Sequence, residues 1–203
     1  IITRYKYNPI LTKDDVPYLV TTVHNAAVVK YNDQYVMLFR SHQHNGRSII
    51  GIADSMDGFE FNVRSEPFLI PTKTGKFSEY EEFGVEDPRI SQIDKVFYIT
   101  YSAYSNHGVR IGLAKTVNFT DVERISLITE PDTRNLVLFP EKIGGSYVRL
   151  DRPHTKITPW AIWISYSPDL IHWGESKIVM KPVPYHWDEM KIGPGAPPIK
   201  TDQ

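Results

Sequence analysis

The chain has 203 residues, 41% hydrophobic and 12% aromatic, enough to bury a sizeable core. Its 23 basic and 24 acidic residues leave a net charge of −1, so the concentrated basic surface that nucleic-acid binding requires is not expected. Cysteine is missing, which excludes disulfides and thiolate metal sites, and the apolar runs fall short of the roughly 20 residues that a membrane helix needs.

Residues 1–20 read as a lead-in with turn signals at Asn8-Pro9 and Val16-Pro17. Three stretches of similar layout follow. The first starts at Asn25, turns at Asn32-Asp33, continues through a strand over Tyr35 to Phe39 and closes on a hairpin around Asp57-Gly58-Phe59. A polar insertion from Pro71 to Phe83 comes next; it reads equally as the border of a site or as a solvated loop. The second stretch starts at Glu86-Asp87-Pro88-Arg89, turns at Asp94-Lys95, runs through Val96 to Tyr101 and reaches Asn118-Phe119. The third starts at Phe139-Pro140-Glu141, turns at Gly144-Gly145, predicts a strand over Trp160 to Ser165 and ends on Asp169-Leu170. The strands rest on β-branched and aromatic runs bounded by turn residues, and fifteen prolines with twelve glycines argue against long helices.

Aligned on Asp57, Asn118 and Asp169, the stretches are offset by 61 and 51 residues, which suits one four-stranded blade each plus loops. Such repetition predicts an all-β fold of the propeller type, in which the innermost strands meet around one axis. The segment from Gly193 to Lys200 looks like the start of a fourth repeat. Propellers need about four to eight blades to close. The expectation is therefore a single, incomplete propeller domain over 1–203, belonging to a longer protein, since the chain also begins at Ile1 and not Met. No secretory apolar segment precedes the first strand, so the expected location is cytoplasmic.

Asp87 is the first candidate for chemistry. An acid at the mouth of an inner strand, stiffened by Pro88, would be partly desolvated; that raises its pKa and suits a proton donor. Alternation along a strand places Glu86 and Asp87 on opposite faces. The competing reading is that Asp87 caps a turn or pairs with Arg89. A second group is basic: Arg40, Arg134, Arg149, Arg152 and Lys191. Arginine offers a planar fork for phosphate or carboxylate oxygens and lysine a point charge, so their convergence would make an oxyanion pocket. Local pairing, of Arg152 with Asp151 for instance, is the alternative. The seven histidines show no zinc spacing, so no metal is expected. Trp160, Trp163, Trp173 and Trp187 read mostly as blade core.

Taken together, His24-Asn25-Ala26-Ala27, Gly84-Val85-Glu86-Asp87-Pro88-Arg89, Leu138-Phe139-Pro140-Glu141-Lys142, Leu150-Asp151-Arg152-Pro153, the run from Ile162 to Gly174 and the run from Lys191 to Thr201 resemble family 130 of the glycoside hydrolases. That family comprises mannoside phosphorylases and related β-mannosidases. The resemblance implies a five-bladed propeller, of which this chain covers about three blades and the start of a fourth. It implies that Asp87 is the catalytic acid and that Arg134, Arg152 and Lys191 bind phosphate. Asn25, Arg40 and Asp151 fall to substrate binding, and Ala26 stands where some members carry serine. The implied reaction is inverting phosphorolysis of a β-linked manno-oligosaccharide, β-1,2 ahead of β-1,4, giving α-mannose 1-phosphate. Inorganic phosphate would be the co-substrate, with no cofactor, no membrane partner and room for a homo-oligomer. An inverting hydrolase needs a second carboxylate to activate water, whereas phosphate arrives already anionic and needs cations instead. The basic set favours phosphorolysis; a β-1,2-mannosidase and a non-catalytic glycan-binding propeller are the rival readings.

Overall fold

The computed structural model of the protein describes residues 3–157 and 159–201. Twelve strands follow one another in three groups of four. The first group is β1 (His24–Tyr31), β2 (Gln34–His42), β3 (Ser48–Ser55) and β4 (Asn62–Val63). The second is β5 (Gly84–Ile93), β6 (Val96–Ser105), β7 (Gly108–Thr116) and β8 (Glu123–Leu127). The third is β9 (Thr133–Leu138), β10 (Tyr147–Pro153), β11 (Ile162–Ser167) and β12 (Gly174–Met180). Each group is an antiparallel meander, so the fold is all-β. Among the described residues the only helical element is a 3-10 turn, Lys13–Asp15, capped by Thr12.

The predicted turns have a physical basis. Asn32 and Asp33 both take positive φ, 48° and 62°, which matches the twist of the β1–β2 hairpin. The three anchors of the repeat alignment build one and the same turn. Asp57 Oδ1 accepts from the amides of Phe59 and Glu60, Asn118 Oδ1 from those of Thr120 and Asp121, and Asp169 Oδ1 from those of Ile171 and His172. In each, a hydroxyl two residues earlier, on Ser55, Thr116 or Ser167, bonds the same side chain. The Asn118 amide is thus engaged within its own hairpin.

Strand β2 is apolar without alternation, and Val36, Met37, Leu38 and Phe39 are all buried, as expected of a strand covered on both faces. The core between the first two groups gathers Leu38, Ile50, Val85, Ile99 and Tyr101 around Phe119, against which the rings of Tyr31 and Phe97 pack. Between the second and third groups, Ile111, Leu113, Leu136 and Leu138 form another core, with Trp173 at its edge. The tryptophans depart from expectation: Trp187 is 96% exposed and Trp160 stacks on a histidine rather than joining the core.

The first two groups are hydrogen-bonded to each other through one parallel pair, Ser48 with Gly84. Gly84 sits at φ +142°, and a Cβ there would fall 2.5 Å from the Ser48 backbone nitrogen. Neither atom can move without breaking the junction. Gly84→Ala is therefore expected to cost about 2–4 kcal/mol through overpacking and backbone strain, read as a shift of the urea midpoint. A loss below 0.5 kcal/mol would mean that the junction is softer than its geometry.

Candidate active site

The first strand of each group carries a non-glycine residue in the left-handed region: Asn25 at φ 50°, Asp87 at 51° and Asn135 at 56°. Asparagine and aspartate enter this region more readily than other side chains. The ladders slip at the same places, between His24 and Ala27 on β1 and between Glu86 and Arg89 on β5, and opposite β9 between Leu150 and Arg152 on β10. Pro88 lies inside the β5 irregularity, where it has no N–H to leave unpaired.

This kink overturns the expected alternation. Glu86 and Asp87 do not face opposite sides; both meet the Arg40 guanidinium. Arg40 Nη1 donates to Asp87 Oδ1 at 3.1 Å and Nη2 to Glu86 Oε1 at 2.6 Å. Asn25 Nδ2 donates to the same Asp87 Oδ1 at 2.6 Å. Asp87 Oδ2 takes no hydrogen bond among those found in the described residues. Glu86 is 4% exposed and holds two arginines at once, because Arg134 Nη1 donates to its Oε2 at 2.8 Å. The Ser48 hydroxyl completes the node, accepting from Arg40 Nε and donating to Glu86 Oε1. Behind Arg40, His42 Nε2 lies 2.9 Å from Nη2, and His42 Nδ1 meets the Thr22 hydroxyl.

The expected rise in the Asp87 pKa is also corrected. Burial does push this carboxyl up, and is the largest single influence. The Asn25 amide and the Arg40 guanidinium together outweigh it, with the Arg89 charge adding to them, and hold Asp87 below the usual carboxylate value. In the free protein Asp87 is thus an anion among donors.

The cations assemble on the other side of this node. Arg134 and Arg152 are direct partners across the β9–β10 ladder. Arg152 Nη2 lies 3.0 Å and Nε 3.2 Å from His154 Nε2. Lys191 is brought in by a parallel bridge to Trp160. A Cβ at Gly193 would lie 2.9 Å from Arg152 Nη1, so the chain after Lys191 runs directly over that guanidinium. The electrostatics agree. Burial pulls the Arg152 pKa down, the Arg134 charge adds to this, and Asp87 opposes it.

Asn25, Arg40, Asp87, Arg134 and Arg152 are therefore brought to one place, the chain just after Lys191 runs beside Arg152, and Asp151 is not among them. Asp151 is 2% exposed and pairs with Arg149, Nε to Oδ2 at 3.0 Å, on the face away from Arg152. The local pairing anticipated for Arg152 thus belongs to Arg149, whose guanidinium also lies over the Trp173 ring and donates to the Ile128 carbonyl. Burial, opposed by Arg149, raises the Asp151 pKa.

Sequence reasoning missed Glu86, His42 and His154. The signal for Glu86 was present in the repeats: aligning Asn25, Asp87 and Asn135 as equivalent kinks would have turned its side chain toward the basic set. The Pro71 to Phe83 insertion is a structured wall and not a loose loop. Within it Glu81 is fully buried, accepting from the Tyr101 hydroxyl, from Arg124 Nε and Nη2, and from the Thr72 amide. Across an open cleft Pro71, Thr72, Ser78 and Glu82 of the insertion face Gln43, Asn45 and Arg47 of the β2–β3 hairpin.

Comparison with known proteins defines the family of carbohydrate-active enzymes to which this all-β frame belongs. The model of glycoside hydrolase family 130, described as β-1,4-mannooligosaccharide phosphorylase, matches residues 3–203. The chain belongs to this family. A β-1,2-mannobiose phosphorylase of Listeria innocua is 39% identical over 157 residues, covering 77% of this chain and 43% of the relative. A 1,2-β-oligomannan phosphorylase of a Thermoanaerobacter species is 34% identical over 189 residues, 88% of this chain and 60% of the relative. The chain thus spans about half the length of the curated relatives it matches. The solved structure of the Listeria innocua β-1,2-mannobiose phosphorylase with β-1,2-mannobiose superposes with a TM-score of 0.89 at 28% identity. That match covers 98% of this chain and 72% of the other.

Proposed function

We propose that this chain carries the acid and much of the phosphate site of an inverting β-mannoside phosphorylase, built as part of a five-bladed propeller with residues 1–203 as one incomplete domain. The observation that supports this reading is the pairing of Arg134 with Arg152 across the β9–β10 ladder, close enough to Asp87 for its charge to act on Arg152, while Asp87 Oδ2 takes no hydrogen bond among the described residues. Glu86, the other acid of the cluster, is neutralised by Arg40 and Arg134 and is poorly suited to activate water. An inverting hydrolase depends on such a second carboxylate. Phosphate, already an anion, needs the cations instead.

In this reading phosphate attacks the anomeric carbon from the face opposite the leaving group. A bond forms between a phosphate oxygen and that carbon, and the glycosidic bond to the acceptor sugar breaks. The departing oxygen takes up the Asp87 proton, relayed in the family's manner through the mannose 3-hydroxyl, and α-mannose 1-phosphate is released. The low pKa of Asp87 in the free protein is compatible with this role. A bound phosphate adds negative charge across the site, and a sugar hydroxyl competes for the Asn25 amide; both raise the carboxyl toward protonation when substrates are in place.

The β-1,2 linkage is favoured by the names of the two relatives above, and β-1,4 by the description of the family. A charged sugar phosphate would be retained and used in the cytoplasm, the proposed location.

The test supplies β-1,2- and β-1,4-mannobiose to the full-length enzyme with and without inorganic phosphate. Mannose 1-phosphate formed only with phosphate is the expected result, faster from the β-1,2 disaccharide. Free mannose released at the same rate without phosphate would select a hydrolase, and no turnover at all a glycan-binding protein. Lys191→Ala is expected to raise KM for phosphate about tenfold while leaving KM for the mannoside within twofold.

A further inference from the structure

His154 has no part in the reaction described above, yet it is the side chain that holds Arg152. Both Nε and Nη2 of Arg152 point at His154 Nε2, at 3.2 and 3.0 Å. Guanidinium nitrogens only donate, so Nε2 is the acceptor, and the imidazole is neutral with its proton on Nδ1. On its other side the ring stacks on Trp160, with centroids 4.2 Å apart and planes 15° from parallel. Trp160 is fixed in turn: its Nε1 donates to the Thr155 carbonyl, its backbone amide to the Met190 carbonyl, and its carbonyl accepts from the Ile192 amide. Those last two bonds grip Lys191 from both sides. At the opposite end the His154 amide donates to the Asp132 carbonyl at 2.7 Å, next to the strand that carries Arg134. The stacked pair of His154 and Trp160 is thus a strut joining Arg152 to the Lys191 backbone.

We propose that His154 is a positioning residue for the phosphate site: its neutral imidazole, braced on the Trp160 ring, fixes the Arg152 guanidinium at a set distance from Lys191. This rests on the phosphorylase reading. An arginine fork is selective for phosphate only when its plane is held, and a free arginine loses rotamer freedom on capturing the anion. The acceptor must stay unprotonated to do this. Burial lowers the His154 pKa first, then the charges of Arg152 and Arg134 and, more weakly, Lys191, with Asp132 opposing. His154 takes the Nε–Nη2 edge of the guanidinium, which leaves the Nη1–Nη2 edge as the fork for an anion, with the Gly193 backbone close to Nη1.

The experiment uses the full-length enzyme and measures KM for phosphate and for the mannoside separately. His154→Ala is expected to raise KM for phosphate about tenfold, with KM for the mannoside and the melting temperature nearly unchanged. His154→Gln, whose amide oxygen can reach the place of Nε2, is expected to recover most of that loss. Trp160→Ala is expected to raise KM for phosphate as well, and the double variant His154→Ala/Trp160→Ala to be no worse than the poorer single one, because the two act as one strut. Equal rises in both KM values, additive losses in the double variant, or a glutamine variant as poor as alanine would overturn the assignment. Wild-type turnover indifferent to phosphate would overturn both the phosphorylase reading and this one. A phosphate-dependent wild type with an unaffected His154→Ala would remove only the strut.

Discussion

Asp87→Asn is expected to lower kcat by about a thousandfold or more while leaving the protein folded. Loss of a positioned general acid alone typically costs a factor of about 100 to 10,000, and here the remaining acid of the cluster, Glu86, is committed to two arginines. Asparagine tolerates φ +51° as aspartate does, and its carbonyl oxygen can keep the Asn25 contact, so the kink should survive. The sign of the pH effect on stability follows from the depressed pKa. Asp87 stabilises the folded state above the ordinary carboxylate pKa of about 4, and this contribution fades as the pH falls through the lower folded value. The variant should therefore be less stable than wild type at neutral pH, and the gap should close as the pH falls through the lowered folded value. Release of mannose 1-phosphate and urea midpoints followed from pH 7 into the acid range check the two halves. Near-normal turnover in the variant would remove Asp87 from the chemistry.

The second large effect belongs to Glu86→Ala. Its carboxylate separates two guanidinium groups whose side chains are only 15% and 23% exposed. Removing it leaves both cations close together without a counter-charge, a situation that typically costs about 3–5 kcal/mol. Activity should fall as well, since Arg40, which holds Asp87, and Arg134, which faces Arg152, both lose their anchor. Glu86→Gln, which can still accept one of the charged bonds, is expected to lie between. Urea unfolding of the full-length enzyme gives the measurement. A loss below 1 kcal/mol for the alanine variant would mean that water replaces the carboxylate at little cost.

The sequence disclosed the repeats because their anchors are chemically explicit. A hydroxyl, then an aspartate or asparagine two residues on, writes the same capped hairpin at Asp57, Asn118 and Asp169, and local hydrogen bonds suffice to form it. The strands were legible for a similar reason, as β-branched and aromatic runs between turns. The side chosen by each polar residue was not. Alternation holds for a regular strand, and the kink at Asp87 suspends it at the very position where facing mattered most. Arg149 and Arg152 looked alike from composition, yet only a three-residue difference along β10, with a slipped ladder between, sends one into the core and the other to the site. The burial of Glu81 within the Pro71 to Phe83 insertion was likewise invisible, since its partners Tyr101 and Arg124 lie on strands distant in sequence.

The three left-handed positions carry a consequence for how such a protein changes its chemistry. Asn25, Asp87 and Asn135 occupy equivalent sockets, and their side chains differ only by an amide nitrogen in place of an oxygen. Exchanging that one atom converts a donor into an acid, or the reverse, without asking the main chain to move. The backbone skeleton thus repeats, while a single terminal atom in each copy sets whether that position presents an amide or a carboxyl group.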